Sequence, residues 1–581
     1  MLSRVAAVKA PRTQNRRGVT GSRGRRKEGG ESEPPRPNVS RRVFTSTVLL
    51  LVVVMMCCST CGAAAADEDL PVVPKFQLEE IADVTVESLG APGLLKVGSG
   101  VFVVAEAQCK KNGEAGSNTF TGIASQLVTI KDDNTPEEAL KKARVIQVLE
   151  KSISTEAKKV DVSRPTTVVK ESDIYMLVGK YSRTPAAGQK SGAGDWGLLL
   201  VKGTVSDKES NKQIDWKDTN AVPTKPLGEQ QNSLKRLIGG GGSGVKMKDG
   251  TLVFPLEGTK KKDGTEEDGK TVSLILYSSD TENWTLSKGM SADGCSDPSV
   301  VEWEKDKLMM MTACGDGRRR VYVSGDKGNT WTETPGTLSR VWSNKQKGEE
   351  KAVGSGFITA TFGDEQKNVM LVTLPVYAKE KENGKGVLHL WLTDNTHIAD
   401  IGPVSGKDDD AAASALLYKS AGSGTDEEKK EELIALYEKK KVDGEKPSPG
   451  MVSVRPIEQL QRVKGVLTTW KEVDEHVSGL CHSGNAVQAR STDSACSTKI
   501  TAGLVGFLSG NFSDDTWRDE YLGVNATVKE GASAETAGSS DGVKFTGRGA
   551  WAEWPVGAQG EKSAVPLLQT STSLLWRRCP S

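Results

Sequence analysis

These 581 residues predict a mainly β chain, with one long helix late in the sequence and further β structure after it. Three observations carry that expectation. Short β-type apolar runs recur from about Val73 to Lys419, each bounded by a polar turn: residues 101–107, 174–178, 198–201, 252–254, 272–277, 308–311, 357–362, 369–374 and 387–392. Gly and Pro are frequent, 62 and 23, while long apolar runs of helical period are scarce, which is the punctuation of hairpins. Finally, Ser324 to Trp331 (SGDKGNTW) follows the run 318–323 as a strand–turn–strand signal. Asp326 can accept hydrogen bonds from turn N–H groups, Gly328 can take positive φ without steric cost, and Trp331 can anchor the turn to the layer beneath. Repeated short strands at hairpin spacing fit a sandwich, a barrel or a propeller.

Taken in order, residues 1–42 carry 12 Lys/Arg against 3 acids. Arg41 and Arg42 then precede the apolar run Val48 to Met56 (VLLLVVVMM), with the small residues Ala63 to Ala66 beyond it. That order is the one found in secretory signal peptides. The apolar run falls short of the ~20 residues a spanning helix needs. Residues 1–66 therefore read as a basic leader and signal peptide, with no transmembrane segment expected in the mature chain. From residue 43 onward the chain carries 65 Lys/Arg and 73 Asp/Glu, and a mildly acidic body argues against a nucleic-acid partner.

Cysteine usage fits an oxidising compartment. Of nine Cys, three (Cys57, Cys58, Cys61) belong to the leader. Cys295 and Cys314 flank a strand pair, and Cys481 and Cys496 bracket a polar loop. A disulfide closing either loop would stabilise by about 3 kcal/mol in the chain-entropy picture. No Cys/His spacing resembles a metal site, and Gly239 to Gly242 reads as a flexible turn without the helix and Lys of a phosphate loop. No metal and no cofactor are expected.

Residues 424–446 are charge-rich, and their Glu/Lys pairs favour a helix locally. Residues 451–457 alternate like a strand. Residues 458–480 then place Leu460, Val463, Leu467, Trp470, Val473 and Val477 at spacings of three and four, the mark of an amphipathic helix. β-type sequence resumes near Lys499. Sequons at Asn511 and Asn525, with Asn283 earlier, fit a glycosylated exterior. The expected organisation is 1–66 leader, 67–457 β domain with the charged insert 424–446, 458–480 connecting helix, and 481–581 second β domain.

On these residues the chain resembles the trypanosomal trans-sialidase superfamily. Ser324, Asp326, Gly328, Thr330 and Trp331 form its structural Asp box, SxDxGxTW, and Tyr277 to Trp284 (YSSDTENW) is a shortened cousin upstream. DGCSDPSVVEW, GTLSRVW, LWLTDN and GLVGFLSGNFSDDTW look like the same family. The resemblance implies a six-bladed β-propeller, a connecting helix and a lectin-like (concanavalin or laminin-G type) β-sandwich. It also implies that residues 431–439 form a propeller strand despite their helical propensity. The Asp box is a scaffold feature and is silent about catalysis.

Fold does not settle function. Sialidase chemistry clamps the sugar carboxylate with three arginines, whose planar forks bind it bidentately, and uses a Tyr nucleophile with a Glu base and an Asp acid/base. Carried over position by position, the resemblance puts Gly90 where the first Arg is required, Ala313 at the second and Lys385 at the third. Ala413 stands at the nucleophile and Asp297 at its base partner. The loop expected to hold the acid/base Asp offers only Glu114, and Asn383 replaces an aromatic platform. Tyr418 and Tyr377 are the nearby phenols, and the run Arg318 to Arg320 is expected to face solvent. No catalytic residue is expected. The implied role is that of the inactive, adhesive branch of the family, toward host-cell surface or extracellular-matrix proteins and glycans. After Gly560 the sequence changes character and implies a C-terminally truncated sandwich without a GPI signal, hence a secreted product. The competing expectations are an active exo-α-sialidase or trans-sialidase, and a truncated product without function.

Overall fold

The structure, a computed structural model, describes residues 7–9, 75–480 and 504–566, apart from 112–118, 129–134, 152–157, 182–196, 207–211, 223–232, 263–267, 316, 335–352, 364–365, 378–384, 396, 421–430, 441–449, 514, 520–524, 529–532, 537–542, 547–551 and 555–564. Antiparallel hairpins dominate it. A ten-stranded hydrogen-bonded sheet takes every strand from Lys75–Glu80 through Ile214–Ala221 except Glu137–Glu138, and adds Gly242–Ser243 on its edge. A five-stranded sheet follows, from Leu234–Gly239 to Thr285–Leu286. Two four-stranded meanders come next. One comprises Cys295–Glu304, Lys307–Cys314, Arg318–Ser324 and Thr332–Glu333. The other comprises Phe357–Phe362, Lys367–Tyr377, Gly386–Thr393 and Ile398–Pro403.

The last sheet of the body holds Ala411–Lys419, Glu432–Lys439 and Met451–Val454, and it takes its fourth strand from early in the chain: Val452 sits opposite Glu138, and Ser453 opposite Glu137. A long-range pairing of this kind ties the end of the β domain to its beginning. Central strands such as Leu252–Lys261 and Lys367–Tyr377 are buried on both faces over five or more consecutive residues. Their sequences are accordingly continuous apolar runs, because each sheet packs against a neighbour on either side.

Glu432–Lys439 is a strand, in agreement with the family resemblance and against its local helix propensity. The reason is burial: Leu433, Ile434, Ala435, Leu436 and Tyr437 are at most 1% exposed. Placing all five in a core on both sides of a sheet outweighs the few tenths of a kcal/mol per residue that propensity contributes. The rest of the charged insert, apart from Glu431 and Lys440, lies outside the described residues. The helix Ile457–Leu480 forms as its spacing predicts. Leu460, Val463 and Trp470 enter the core of the last two sheets, with Leu467 packed against it. The Trp470 ring stacks on His397 at 4.8 Å between centroids. The side chains of Val473 and Val477 are outside the described set.

The Asp box folds as its residues require. Asp326 accepts from the Thr330 N–H at 2.9 Å and the Thr330 hydroxyl at 2.7 Å, and Ser324 donates to it at 2.8 Å. The Gly328 N–H donates to Ser324 Oγ at 2.8 Å, and Gly328 has φ of 80°. Trp331 packs on the cluster of Met247, Ile275 and Tyr322. In the upstream cousin Asp280 accepts from the N–H groups of Glu282 and Asn283, and Trp284 is buried against Phe254. The Asn283 amide nitrogen, a predicted glycan acceptor, itself donates to Asp280.

Cys295 and Cys314 form the predicted disulfide and lie directly opposite one another on paired strands. Cys481 and Cys496 fall outside the described residues. Cys109 is a buried thiol that burial, and then Glu87, push up to about 12. Beyond the helix, Leu504–Ser513, Thr516–Asp519, Ala526–Val528, Ala552–Trp554 and Val565–Pro566 form a sheet edged by Ala7–Lys9. In it the Asn525 side chain accepts from the Asp519 N–H. Among the described residues no helix is long and apolar enough to cross a membrane.

Candidate functional site

A cavity of about 240 Å³ opens where the inner strands of several sheets converge. Its wall is formed by Gly90 to Pro92, Glu106, Arg164, Gly240 to Ser243, Asp297, Ser299, Val353 to Ile358, Ala413 to Leu416 and Glu438. The polar centre is Arg164, held on the strand Lys158–Lys170 at a register break between Ser163 and Thr166 and with φ of 49°. That kink turns its side chain into an ion pair with Glu257 at 2.7 Å and with Asp297 at 3.1 Å. The Arg164 N–H also donates to Glu106 at 2.9 Å, and the Asp297 N–H donates to Glu257 at 3.1 Å. Burial alone would lower the Arg164 guanidinium, but Asp297 and Glu257 hold it above its ordinary value.

Glu438 supplies the other pole. It ends a buried strand, accepts the Ala91 N–H at 2.8 Å, and lies 3.4 Å from where a Cβ on Gly90 would sit. Burial raises its carboxyl above the usual range, and the nearby charges of Glu106 and Asp297 push the same way. The glycine segment completes the wall. Gly241 and Gly242 have φ of 81° and 74°, and a Cβ on Gly240 would fall 2.5 Å from the Pro298 carbonyl oxygen. These glycines are therefore required by left-handed backbone and close approach. The expectation of a merely flexible turn is corrected, because Gly242 and Ser243 pair in parallel with Thr166 and Thr167 beside Arg164.

Of the five positions singled out from the sequence, Gly90, Asp297 and Ala413 lie on this wall. Ala313 is buried in its strand, and its carbonyl accepts from Ser296 at 3.5 Å. Lys385 is not on the wall and donates to the Asp408 carbonyl at 2.8 Å. Glu114 and Asn383 fall outside the described residues. Tyr418 is also off the wall: its hydroxyl donates to Thr361 O at 3.1 Å, and burial raises its pKa, the opposite of what a nucleophile needs. Of the arginine run, Arg319 donates to Val353 O and Arg320 pairs with Glu333. Sequence reasoning missed Arg164, Glu106, Glu257 and Glu438. Two of them sit in strands whose apolar neighbours dominate the pattern, and only the fold brings the four together. Among the described residues no three His, Cys, Asp or Glu side chains are placed to hold a metal ion.

The BNR repeat-like domain family matches residues 91–438, which include every residue of the cavity wall except Gly90, and the trans-sialidase C-terminal domain family matches 500–575. A solved structure of Trypanosoma rangeli sialidase with the inhibitor DANA is 32% identical, with a TM-score of 0.59 over 81% of this chain and 69% of that one. The chain belongs to the trypanosomal sialidase and trans-sialidase family. The same Trypanosoma rangeli enzyme in complex with sialic acid is 30% identical, with a TM-score of 0.59. Two curated Trypanosoma cruzi relatives, "Sialidase 85-1.1" and "Sialidase", are 33% and 30% identical over 68% and 72% of this chain. This member of the family spans 48% and 34% of the lengths of those two. The fold is thus sialidase-like, with a lectin-like C-terminal domain of the trans-sialidase type.

Proposed function

We propose that this family member is a non-catalytic, sialidase-like glycoprotein of the secretory pathway that adheres to host-cell surfaces or extracellular matrix. One observation carries the reading: the cavity wall has Gly90 and Ala413 where the family pattern calls for a clamp arginine and the Tyr nucleophile. Without a nucleophile at Ala413 the covalent route is closed. Without the clamp, a sugar carboxylate forfeits charge-assisted hydrogen bonds of about 1.5–3 kcal/mol each.

The remaining guanidinium does not substitute. Arg164 is already engaged by Glu257 and Asp297. A ligand carboxylate 5 Å from any one of the wall carboxylates meets about 3 kcal/mol of repulsion at an effective dielectric of 20. Lys385, the one position that keeps a positive charge, is spent on a backbone carbonyl away from the wall.

The decisive experiment is a fluorogenic sialoside assay on the intact secreted chain, run beside binding to host cells and to immobilised matrix proteins. The expected outcome is no turnover together with saturable adhesion. Turnover that DANA abolishes would overturn the reading and restore the sialidase alternative. Absence of both turnover and adhesion would leave a product without function. Endoglycosidase treatment of the secreted protein tests the expected glycans at Asn283, Asn511 and Asn525, and secretion itself tests the leader.

A further inference from the structure

The helix Ile457–Leu480 carries the chain out of the first β domain, and one histidine sits in the seam where it docks. His397 lies in the turn between Gly386–Thr393 and Ile398–Pro403 and is only 5% exposed. Its ring lies against the Trp470 indole, 4.8 Å between centroids and 23° between planes. The two ring nitrogens face carboxylates from two different elements. Nδ1 is 2.9 Å from both oxygens of Asp394, in its own turn. Nε2 is 3.8 Å from Oδ1 of Asp474, on the helix.

The first contact fixes the tautomer. Asp394 also accepts the His397 backbone N–H at 2.7 Å and pairs with Lys367 at 2.9 Å. Burial works to raise the Asp394 carboxyl, but the His397 ring, the His397 N–H and Lys367 together hold it well below its usual range. Asp394 is therefore an acceptor only, and Nδ1 carries the hydrogen. A neutral His397 then presents the Nε2 lone pair to the Asp474 carboxylate, acceptor to acceptor. Protonation turns that nitrogen into a donor, places a cation between two carboxylates and lays it on an indole face, which itself attracts cations. Burial and the Lys367 ammonium oppose it, while Lys471, Glu472 and Glu475 on the helix are exposed. Lys367 and Asp394 belong to the β domain and stay with His397 when the helix lifts. Against the desolvation that docking imposes, the helix brings Asp474 and Trp470, and both favour the charged ring.

We propose that His397 is a pH-responsive pin for the connecting helix, which docks more tightly when the imidazole is protonated between Asp394 and Asp474. The sign follows from linkage. A proton held more strongly in the docked state gives stability that is present in mild acid. That stability is lost as pH rises through the range in which an imidazole changes charge, about pH 5 to 8. The inference goes beyond the adhesive reading above and does not depend on it.

Amide hydrogen exchange of the helix in the intact chain, followed by mass spectrometry at about pH 5.5 and about pH 8, tests it. At each pH the parent is compared with His397→Gln, which can still donate to Asp394 but cannot take up a proton. The intrinsic pH dependence of exchange then cancels, as do His389, His476 and His482, which both proteins share. At the lower pH the parent helix should be about tenfold better protected than the variant's, the scale of one pH unit of linkage. At the higher pH that advantage should largely disappear. Asp474→Asn removes the carboxylate that the helix brings and should shrink the advantage at the lower pH, with the helix still protected at the higher. Asp474 is partly exposed, so this variant keeps the test intact if His397→Gln fails to fold. An advantage equal at both pH values marks His397 as packing alone and overturns the inference. So does an advantage that grows with pH, or a full pH dependence retained in Asp474→Asn.

Discussion

Replacing Gly90 with Arg is the sharpest perturbation the cavity allows. The new Cβ makes one contact, with Glu438 Oε1 at the ordinary distance of 3.4 Å, so the substitution fits without displacing backbone. A guanidinium beside the withdrawn Glu438 carboxylate would gain about 1.5–3 kcal/mol in charge-assisted hydrogen bonding. Ordering the Arg side chain would cost about 2 kcal/mol. Removing a glycine from a strand would return about 0.5–1 kcal/mol through the unfolded state. The net is a stabilisation of about 1 kcal/mol, hence a rise in melting temperature of about 1–2 °C for a β domain of this size.

The pH dependence is the more diagnostic readout. Burial raises the Glu438 carboxyl in the folded parent, with Glu106 and Asp297 adding to it. A carboxyl raised on folding binds more protons in the native state, so its contribution is fully present at low pH and is lost as pH rises through the raised value. Arg164, engaged by Asp297 and Glu257, does not cancel this. An Arg at position 90 would. The gain from Gly90→Arg should therefore be smallest near pH 4 and grow toward pH 8, followed by differential scanning fluorimetry. A gain independent of pH, or a loss at pH 8, would refute the assignment of Glu438 as a carboxyl raised by burial despite the Ala91 and Ala413 N–H groups it accepts from. On the non-catalytic reading proposed above, the variant should show no sialoside turnover, because Ala413 is unchanged.

Three further outcomes are expected. Cys295→Ser should destabilise the β domain by about 3 kcal/mol, since the bridge closes a loop with a sequence separation of 19; urea midpoints in the presence and absence of reductant check this. Trp470→Ala should cost about 3–5 kcal/mol, because this 3%-exposed ring joins the helix to the core of the last two sheets, and the loss should appear in the same melting transition. Asp326→Ala should cost only about 1 kcal/mol, because the Asp326 side chain and its Thr330 partner are exposed. The Thr330 N–H and hydroxyl hold the Asp326 carboxyl below its usual value. Its contribution is therefore present above the usual carboxylate range and is lost as pH falls below it, so parent and variant should converge in acid.

Local chemistry was legible wherever a few adjacent residues suffice. SGDKGNTW specified its own turn, because Ser324, Asp326, Gly328 and Thr330 satisfy one another within seven residues. The helix Ile457–Leu480 was readable from a periodicity that survives in any context, and the Cys295–Cys314 pairing from two cysteines flanking a strand pair. Strand 432–439 was legible only through family resemblance, because its own residues favour a helix and only burial on both faces reverses that.

The sequence by itself determined the β-rich class, the long helix Ile457–Leu480 and the Asp-box turn. Only the tertiary structure decided which side chains share the cavity wall. Glu438 is hundreds of residues from Gly90, as Arg164 is from Ala413, and Asp297 is more than a hundred from Ala413; nothing in local spacing couples them. They meet because several sheets converge on one cavity, with the last sheet taking an edge strand from the front of the chain. Electrostatic sign at a site is a sum over such distant neighbours, so it belongs to the fold and cannot be read from any one stretch of sequence.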